Sequence, residues 1–185
     1  VHISKCQTAL VQAFIRKTKS DGVIQVYGSH NIKRNMKEYN YYVLMELADT
    51  DWEKEIKQKK QIKNYYSEEE LMKILRQLIK TFALLQKNKI THRDVKPQNV
   101  LIVNGKYKVC DFSEAKITTD NDVIKQSIRG TELYMSPVLF NALKQRQQFI
   151  IHNTYKSDVF SLGICIFLAA TLTYNSIYAI REMRN

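Results

Sequence analysis

The sequence predicts an α+β fold, on three observations. First, residues 100–109 read VLIVNGKYKV, two short apolar runs around Asn104-Gly105. That dipeptide is a strong two-residue hairpin signal, because both central positions of a type I′ turn need φ > 0. Second, Ser67-Glu68-Glu69-Glu70 is a capping box, and the helix it opens carries Leu71, Ile74, Leu75, Leu78, Phe82 and Leu85 on one face. Third, the most apolar stretch, Val159 to Leu172, is broken by Ser161 and Gly163 and is too short to span a bilayer, so it reads as a buried core helix.

The remaining elements follow in chain order. Ile3, Cys6, Leu10, Phe14 and Ile15 fall at helical spacing over residues 3–17, and SDG at 20–22 stops that helix. VIQVYG (23–28) reads as a strand, then a polar loop, then the strand YYVLMEL (41–47). Trp52 to Lys60 form a short helix. Residues 139–154 are a polar connection into the apolar helix, and after Tyr174 the periodic signal fades.

With 185 residues the chain has room for one good core and one or at most two domains. Its 29 basic and 18 acidic residues give a net charge of +11. The densest basic run, KEIKQKKQIK at 54–63, is amphipathic and mixed with Glu, so it reads as a solvated helix face and not a nucleic-acid patch. Cys6, Cys110 and Cys165 are odd in number and widely spaced, which points to reduced thiols in an intracellular compartment and away from a disulfide scaffold; a cytoplasmic setting is expected, with the nucleus as the alternative. No signal peptide opens the chain, and neither a membrane nor nucleic acid is expected as a partner.

The chemistry concentrates between residues 90 and 113, ITHRDVKPQNVLIVNGKYKVCDFS. A hairpin of this length brings the residue before its first strand level with the residue after its second. Asn99 and Asp111 are therefore expected side by side, an amide oxygen and a carboxylate facing one space. Hard oxygen ligands suit Mg²⁺, which takes its other ligands from water and substrate phosphates. Asp94 and Lys96 sit on the loop entering that space. An acid to orient a hydroxyl, a cation near a phosphate and two metal ligands make a phosphoryl-transfer site.

HRDVKPQN followed by DFS resembles the H-R-D-L-x-x-x-N and D-F-G signatures of the protein kinase family. GTELYMSP (130–137) resembles the ending of that family's activation segment. Lys96, two residues after the acid, is similar to the Ser/Thr-directed subfamily. The resemblance implies transfer of the ATP γ-phosphoryl to protein Ser/Thr hydroxyls, with ATP and Mg²⁺ as cofactors. It implies Asp94, Lys96, Asn99 and Asp111 as the catalytic set, with Asn99 and Asp111 on the metal. Met45 would be the gatekeeper, Glu46 to Ala48 the hinge, and Leu101 the floor under the adenine. Asp49 or Asp51 could reach a ribose hydroxyl or be merely solvated.

The same resemblance assigns supporting roles. His92 would organise the loop and stack with Ile15, Val26 and Phe112 in the regulatory spine. Asp158 would hold the catalytic-loop backbone, a simple N-cap role being compatible. Thr131 would hydrogen-bond Asp94 and Lys96. Ser127 sits where an upstream kinase places an activating phosphate, with Arg93 as its partner; Thr118 and Thr119 are weaker candidates. Cys110 reads as a small core residue, or as a covalent handle if exposed to the nucleotide.

Five departures stand out. The Gly-rich phosphate loop and the strand lysine do not occur in the chain, and residues 1–20 hold no acid, so the expected small-lobe glutamate is missing near Val11. Ser113 replaces the glycine of D-F-G, and Val138 the glutamate of A-P-E. A complete domain of this family needs roughly 250 residues, above the usual single-core range. The expectation is therefore an incomplete small lobe with its hinge over 1–48 and a truncated large lobe over 49–185, with a pseudokinase or binding scaffold as the alternative.

Overall fold

The computed structural model describes residues 20–33, 39–118 and 123–182. The helix expected over 3–17, with Ile15, Val11 and Cys6, lies outside the described residues, as does Thr119. Two strands, β1 (Val26–Lys33) and β2 (Tyr39–Met45), pair antiparallel with a bulge between Val26 and Gly28. The strand expected over 23–28 is thus displaced towards the C-terminus. Its first residues instead run beside another sheet, with a parallel bridge from Val23 to Val109 and the Ile24 N–H donating to Val109 O at 3.0 Å.

That second sheet, in the order β3 (Thr50–Asp51), β5 (Val100–Val103), β6 (Lys106–Val109), contains the expected hairpin. Asn104 and Gly105 have φ of 50° and 71°, the pair of positive values a type I′ turn demands. Against it pack α1 (Trp52–Gln61) and α2 (Glu68–Lys87). The capping box opening α2 is complete: the Glu70 N–H donates to Ser67 Oγ at 3.1 Å, and the Ser67 N–H to Glu70 Oε2 at 2.7 Å. Leu78 and Leu85 from α2 are fully buried with Trp52, and each buried side chain of this size contributes about 1.5–3 kcal/mol.

Beyond the hairpin, β4 (Ile90–Thr91) pairs with β7 (Lys116–Ile117) and brackets the site loop. The apolar helix α4 (Thr154–Thr171) buries Leu162, Cys165, Leu168 and Ala169 in the same core as α2. Its N-cap is Asn153, whose Oδ1 accepts from the Lys156 N–H at 3.0 Å, so Asp158 is released from that role. Among the described residues no helix is long and apolar enough to cross a membrane.

Residues 139–154 are not the plain connection the sequence suggested. They hold the end of α3 (Pro137–Lys144) and a strand, β9 (Phe149–Asn153), which pairs antiparallel along its whole length with β8 (Val123–Ser127). The polar flank KQRQQ hides the strand, and its partner lies far away in sequence. A final helix, α5 (Asn175–Glu182), follows Tyr174, where the periodic signal of the sequence fades; its Ile177 is fully buried.

Candidate active site

The loop between β4 and β5 is held from below by α4. Asp158, buried and at the second turn of α4, accepts the His92 N–H at 2.7 Å and the Arg93 N–H at 2.9 Å. Burial raises its carboxyl above the ordinary aspartate range, and the His92 and Arg93 groups oppose that rise. Arg93 takes φ of 71°, a left-handed conformation that costs free energy for a non-glycine residue and persists only where the surroundings fix it.

Asp94, Lys96, Asn99 and Thr131 meet in one hydrogen-bonded cluster. Lys96 Nζ lies 2.7 Å from Asp94 Oδ2 and donates to Thr131 Oγ1 at 2.9 Å, while the Thr131 hydroxyl donates to Asp94 Oδ1 at 2.8 Å. Asn99 Nδ2 donates to the Asp94 carbonyl at 2.9 Å and to its Oδ2 at 3.2 Å. Burial pushes the Asp94 carboxyl up, but the hydrogen bonds from Lys96 and Thr131 outweigh it and hold the group below the usual carboxylate range. At neutral pH it is therefore an anion able to accept a hydrogen bond.

The hairpin register differs by one residue from the expectation. Val100 faces Val109, so the residue level with Asn99 is Cys110, whose N–H donates to Asn99 O at 2.9 Å. Asp111 comes one residue later, exposed, with φ of 55°; its Oδ1 accepts the Ser113 N–H at 3.3 Å. Aspartate tolerates the left-handed region better than most residues, helped by this local side-chain hydrogen bond. Ser113 itself does not have the positive φ a glycine would permit, so the substitution carries no backbone strain. With Nδ2 of Asn99 committed to Asp94, its Oδ1 is the atom of that amide able to accept. The Asn99 amide and the Asp111 carboxylate each carry a hard oxygen of the kind Mg²⁺ takes alongside phosphate and water. Among the described residues, no group of three or more His, Cys, Asp and Glu side chains could hold a metal.

His92 is buried with its ring 4.9 Å from that of Phe112, and its Nε2 contacts Cys110 O at 2.9 Å. Val26 is buried in the same core. Leu101 and Ala48 share a small apolar cluster with Ile24, Val103 and Cys110, while Met45 is exposed at the end of β2. The Cys110 thiol is buried and pushed up to about 12 by desolvation and then by Asp111, which leaves no thiolate for covalent chemistry. Asp51 caps α1 through the Lys54 N–H at 2.9 Å, and Asp49 Oδ2 accepts the Asn104 N–H at 2.8 Å, so both acids have structural work besides any ribose contact.

Arg93 reaches Ser127, donating from Nη2 to the Ser127 carbonyl at 2.7 Å and to its Oγ at 3.2 Å. Thr118 is different: it is buried, its hydroxyl donating to Lys89 O at 3.1 Å and touching Tyr155, so it is sequestered from modification. Val138 is about half exposed on α3, where the family glutamate would leave no buried charge. Two features escaped the sequence. Glu46 forms a two-pronged ion pair with Lys108 Nζ at 2.7 and 2.9 Å and also accepts the Gln25 N–H at 2.6 Å, tying the segment after β2 to β6. Gly130 has φ of 108°, and a Cβ there would lie 2.7 Å from Arg93 O.

A loop fixed by α4, an ionised acid bridged to a lysine and a threonine, and an Asn and an Asp on either side of a tight hairpin match one family. The family model described as Protein kinase domain covers residues 9–183. The chain belongs to the protein kinase domain family. This kinase domain is 32% identical over 157 residues to "Serine/threonine-protein kinase TIO" of Arabidopsis thaliana, covering 83% of the chain and 10% of that protein. It is 34% identical over 138 residues to "Probable serine/threonine-protein kinase nek3" of Dictyostelium discoideum, covering 72% of the chain and 12% of the relative. A third relative, "Dual specificity protein kinase zak2" of Dictyostelium discoideum, is 30% identical over 165 residues, covering 83% of the chain and 23% of its own length. The chain thus spans a small part of the relatives it matches.

Proposed function

We propose that this kinase domain transfers the γ-phosphoryl of ATP to Ser or Thr hydroxyls of a protein substrate. The observation that carries the reading is the Asp94–Lys96–Thr131 triangle, with all three contacts between 2.7 and 2.9 Å. Asp94 accepts the hydrogen bond of the incoming hydroxyl and orients it. Lys96 holds a positive charge against both Asp94 and the incoming phosphoryl oxygens. Asn99 and Asp111 would hold Mg²⁺, and Met45, Glu46, Ala48 and Leu101 would border the adenine. Bound MgATP supplies the phosphoryl group and the cation that offsets charge on its oxygens. Relatives named as serine/threonine kinases support the choice of acceptor, as does a lysine two residues after the acid.

The 185 residues are read as a section of a longer protein, in keeping with the 10% and 12% of the relatives that they span. A pseudokinase that uses this fold for binding is the second reading, favoured by the lack of any acid in residues 1–20. Asp94→Asn in the full-length protein separates the two. The kinase reading expects phosphorylation of a generic Ser/Thr peptide to fall by about 10³-fold or more with folding unchanged, the scale on which loss of an acid–base group with its transition-state contacts is felt. An unchanged rate, or no transfer by the parent protein, favours the scaffold.

A further inference from the structure

The pairing of β8 with β9 builds a surface that the catalytic reading does not use. In the antiparallel register, Lys125 faces Ile151 and Val123 faces Asn153. Alternation along both strands divides them into two faces. One face is interior: Gln126 and His152 are both buried. The other presents Val123, Phe149 and Ile151 to solvent, 56%, 52% and 66% exposed, with the Lys125 ammonium 5.6 Å from the centre of the Phe149 ring. Three large apolar side chains exposed together on a fully paired ribbon are unlike the scattered apolar residues of an ordinary surface.

Charge says what would sit there. Residues 123–131 and 137–156 contain Lys125, Arg129, Lys144, Arg146 and Lys156, and no Asp or Glu; Asp122 and Glu132 bound the first stretch. Lys156 lies at the Asn153 end of the ribbon, bound by its main chain to the Asn153 side chain. Arg129, ion-paired with Glu114 at 3.5 Å, lies beyond the Phe149 end, where the Ile128 N–H donates to Gln148 O and extends the pairing, so among the described residues the free cations of the ribbon are Lys125 and Lys156. From there Ile128, Arg129, Gly130 and Thr131 line a cleft of about 350 Å³ that also contains Asp94, Glu114 and Glu132, so the basic character belongs to the ribbon and not to the cleft. Ser127 and Thr131 are four residues apart, and an extended chain advances about 3.3–3.6 Å per residue, so ribbon and acceptor site lie within roughly 14 Å along this path.

We infer that the outer face of the β8–β9 ribbon docks an acidic, apolar-anchored segment of the protein substrate, placed a few residues from the Ser or Thr that enters the Asp94 cleft. The inference rests on the kinase reading for the identity of the partner, but its binding test does not. Apolar side chains of the segment cover Phe149, Ile151 and Val123, and its carboxylates meet Lys125 and Lys156.

Fluorescence anisotropy on the full-length protein tests this with a short labelled peptide in which Glu alternates with Leu and Phe. One control replaces Leu and Phe by Ser, another replaces Glu by Lys. The expected result is saturable binding of the first peptide, at least about tenfold weaker for either control and for the Phe149→Ser/Ile151→Ser variant. Lys125→Glu/Lys156→Glu supplies a second variant that leaves the apolar side chains in place and should weaken binding similarly. Equal binding of the Ser control overturns the docking proposal in favour of simple charge attraction. No binding of the first peptide, or binding unaffected by both variants, overturns it as well. A Ser-acceptor peptide carrying the acidic–apolar segment should show a lowered KM. If it is phosphorylated with KM unchanged, docking fails and the kinase reading stands; if it binds without being phosphorylated, the kinase reading fails.

Discussion

Replacing Thr131 by Val tests the central triangle with almost no change of shape, since the two side chains are β-branched isosteres. The variant loses the bond donated to Asp94 Oδ1 at 2.8 Å and the one accepted from Lys96 Nζ at 2.9 Å. Each is a hydrogen bond to a charged group, worth about 1.5–3 kcal/mol. Asp94 and Lys96 keep each other at 2.7 Å, however, and Asn99 still donates to Asp94. The net loss should therefore be near one such bond, about 2 kcal/mol, which is about 30-fold if it is felt wholly in the transition state. A second readout separates orientation from mere packing. Thr131 is one of the two partners whose hydrogen bonds hold the Asp94 carboxyl below its ordinary range, so its removal moves that group upward. The acid limb of kcat/KM against pH should shift to higher pH in Thr131→Val and return in Thr131→Ser. The assay is phosphate transfer by the full-length protein to a generic Ser/Thr peptide across the acid range, with melting followed in parallel. A kcat/KM within about threefold of the parent and an unmoved acid limb would refute the reasoning, because three-fold is well under 1 kcal/mol.

Three further outcomes are expected. The buried His152 has its pKa lowered by desolvation and by Arg93, so the unfolded chain takes up the proton first. Its contribution to stability is whole above the unfolded value near pH 6.5 and is lost as pH falls towards the folded value, a slope that urea midpoints should show and that His152→Asn should flatten. Gly130→Ala puts a Cβ against Arg93 O at a φ of 108°, a conformation that costs about 1–3 kcal/mol for other residues, so Tm should fall by several degrees, with activity falling too as the loop shifts. Lys108→Met strands the half-buried Glu46 carboxylate and should lower the unfolding free energy by about 3 kcal/mol at unchanged m-value; an unaltered urea midpoint would show the pair to be solvent-screened.

What the sequence made readable was short-range. The Asn104-Gly105 turn and the Ser67–Glu70 capping box are satisfied within a few residues, so the residue types alone specify them. The strand β9 is the opposite case. FIIHN becomes a strand because Val123–Ser127 lies beside it, and no local periodicity in KQRQQFIIHN announces a partner that distant. The one-residue offset between Asn99 and Asp111 is different, because it is local: a two-residue loop at Asn104-Gly105 pairs Val103 with Lys106, and that register puts Cys110, not Asp111, level with Asn99. Glu46 and Lys108 are 62 residues apart and each looks like an ordinary surface charge until β6 is laid against the segment after β2.

The strained positions show why the motif and its geometry are different kinds of information. Arg93, Asp111 and Gly130 all have positive φ, at 71°, 55° and 108°. Only Gly130 is a residue that adopts such angles freely, so the other two must be held by their surroundings. Arg93 is held by Asp158 at its N–H, Asp111 by its contact with the Ser113 N–H, and Gly130 alone fits beneath the Arg93 carbonyl. Arg93 and Gly130 meet beside Asp94, one from the loop and the other from the activation segment, while Asp111 follows the hairpin. A sequence motif specifies which side chains are present there, but the angles that aim them are set by α4 and by main-chain contacts made elsewhere. Substitutions at Asp158 or Gly130, which carry none of the proposed chemistry, should therefore disturb the orientation of Asp94 as surely as a change beside it.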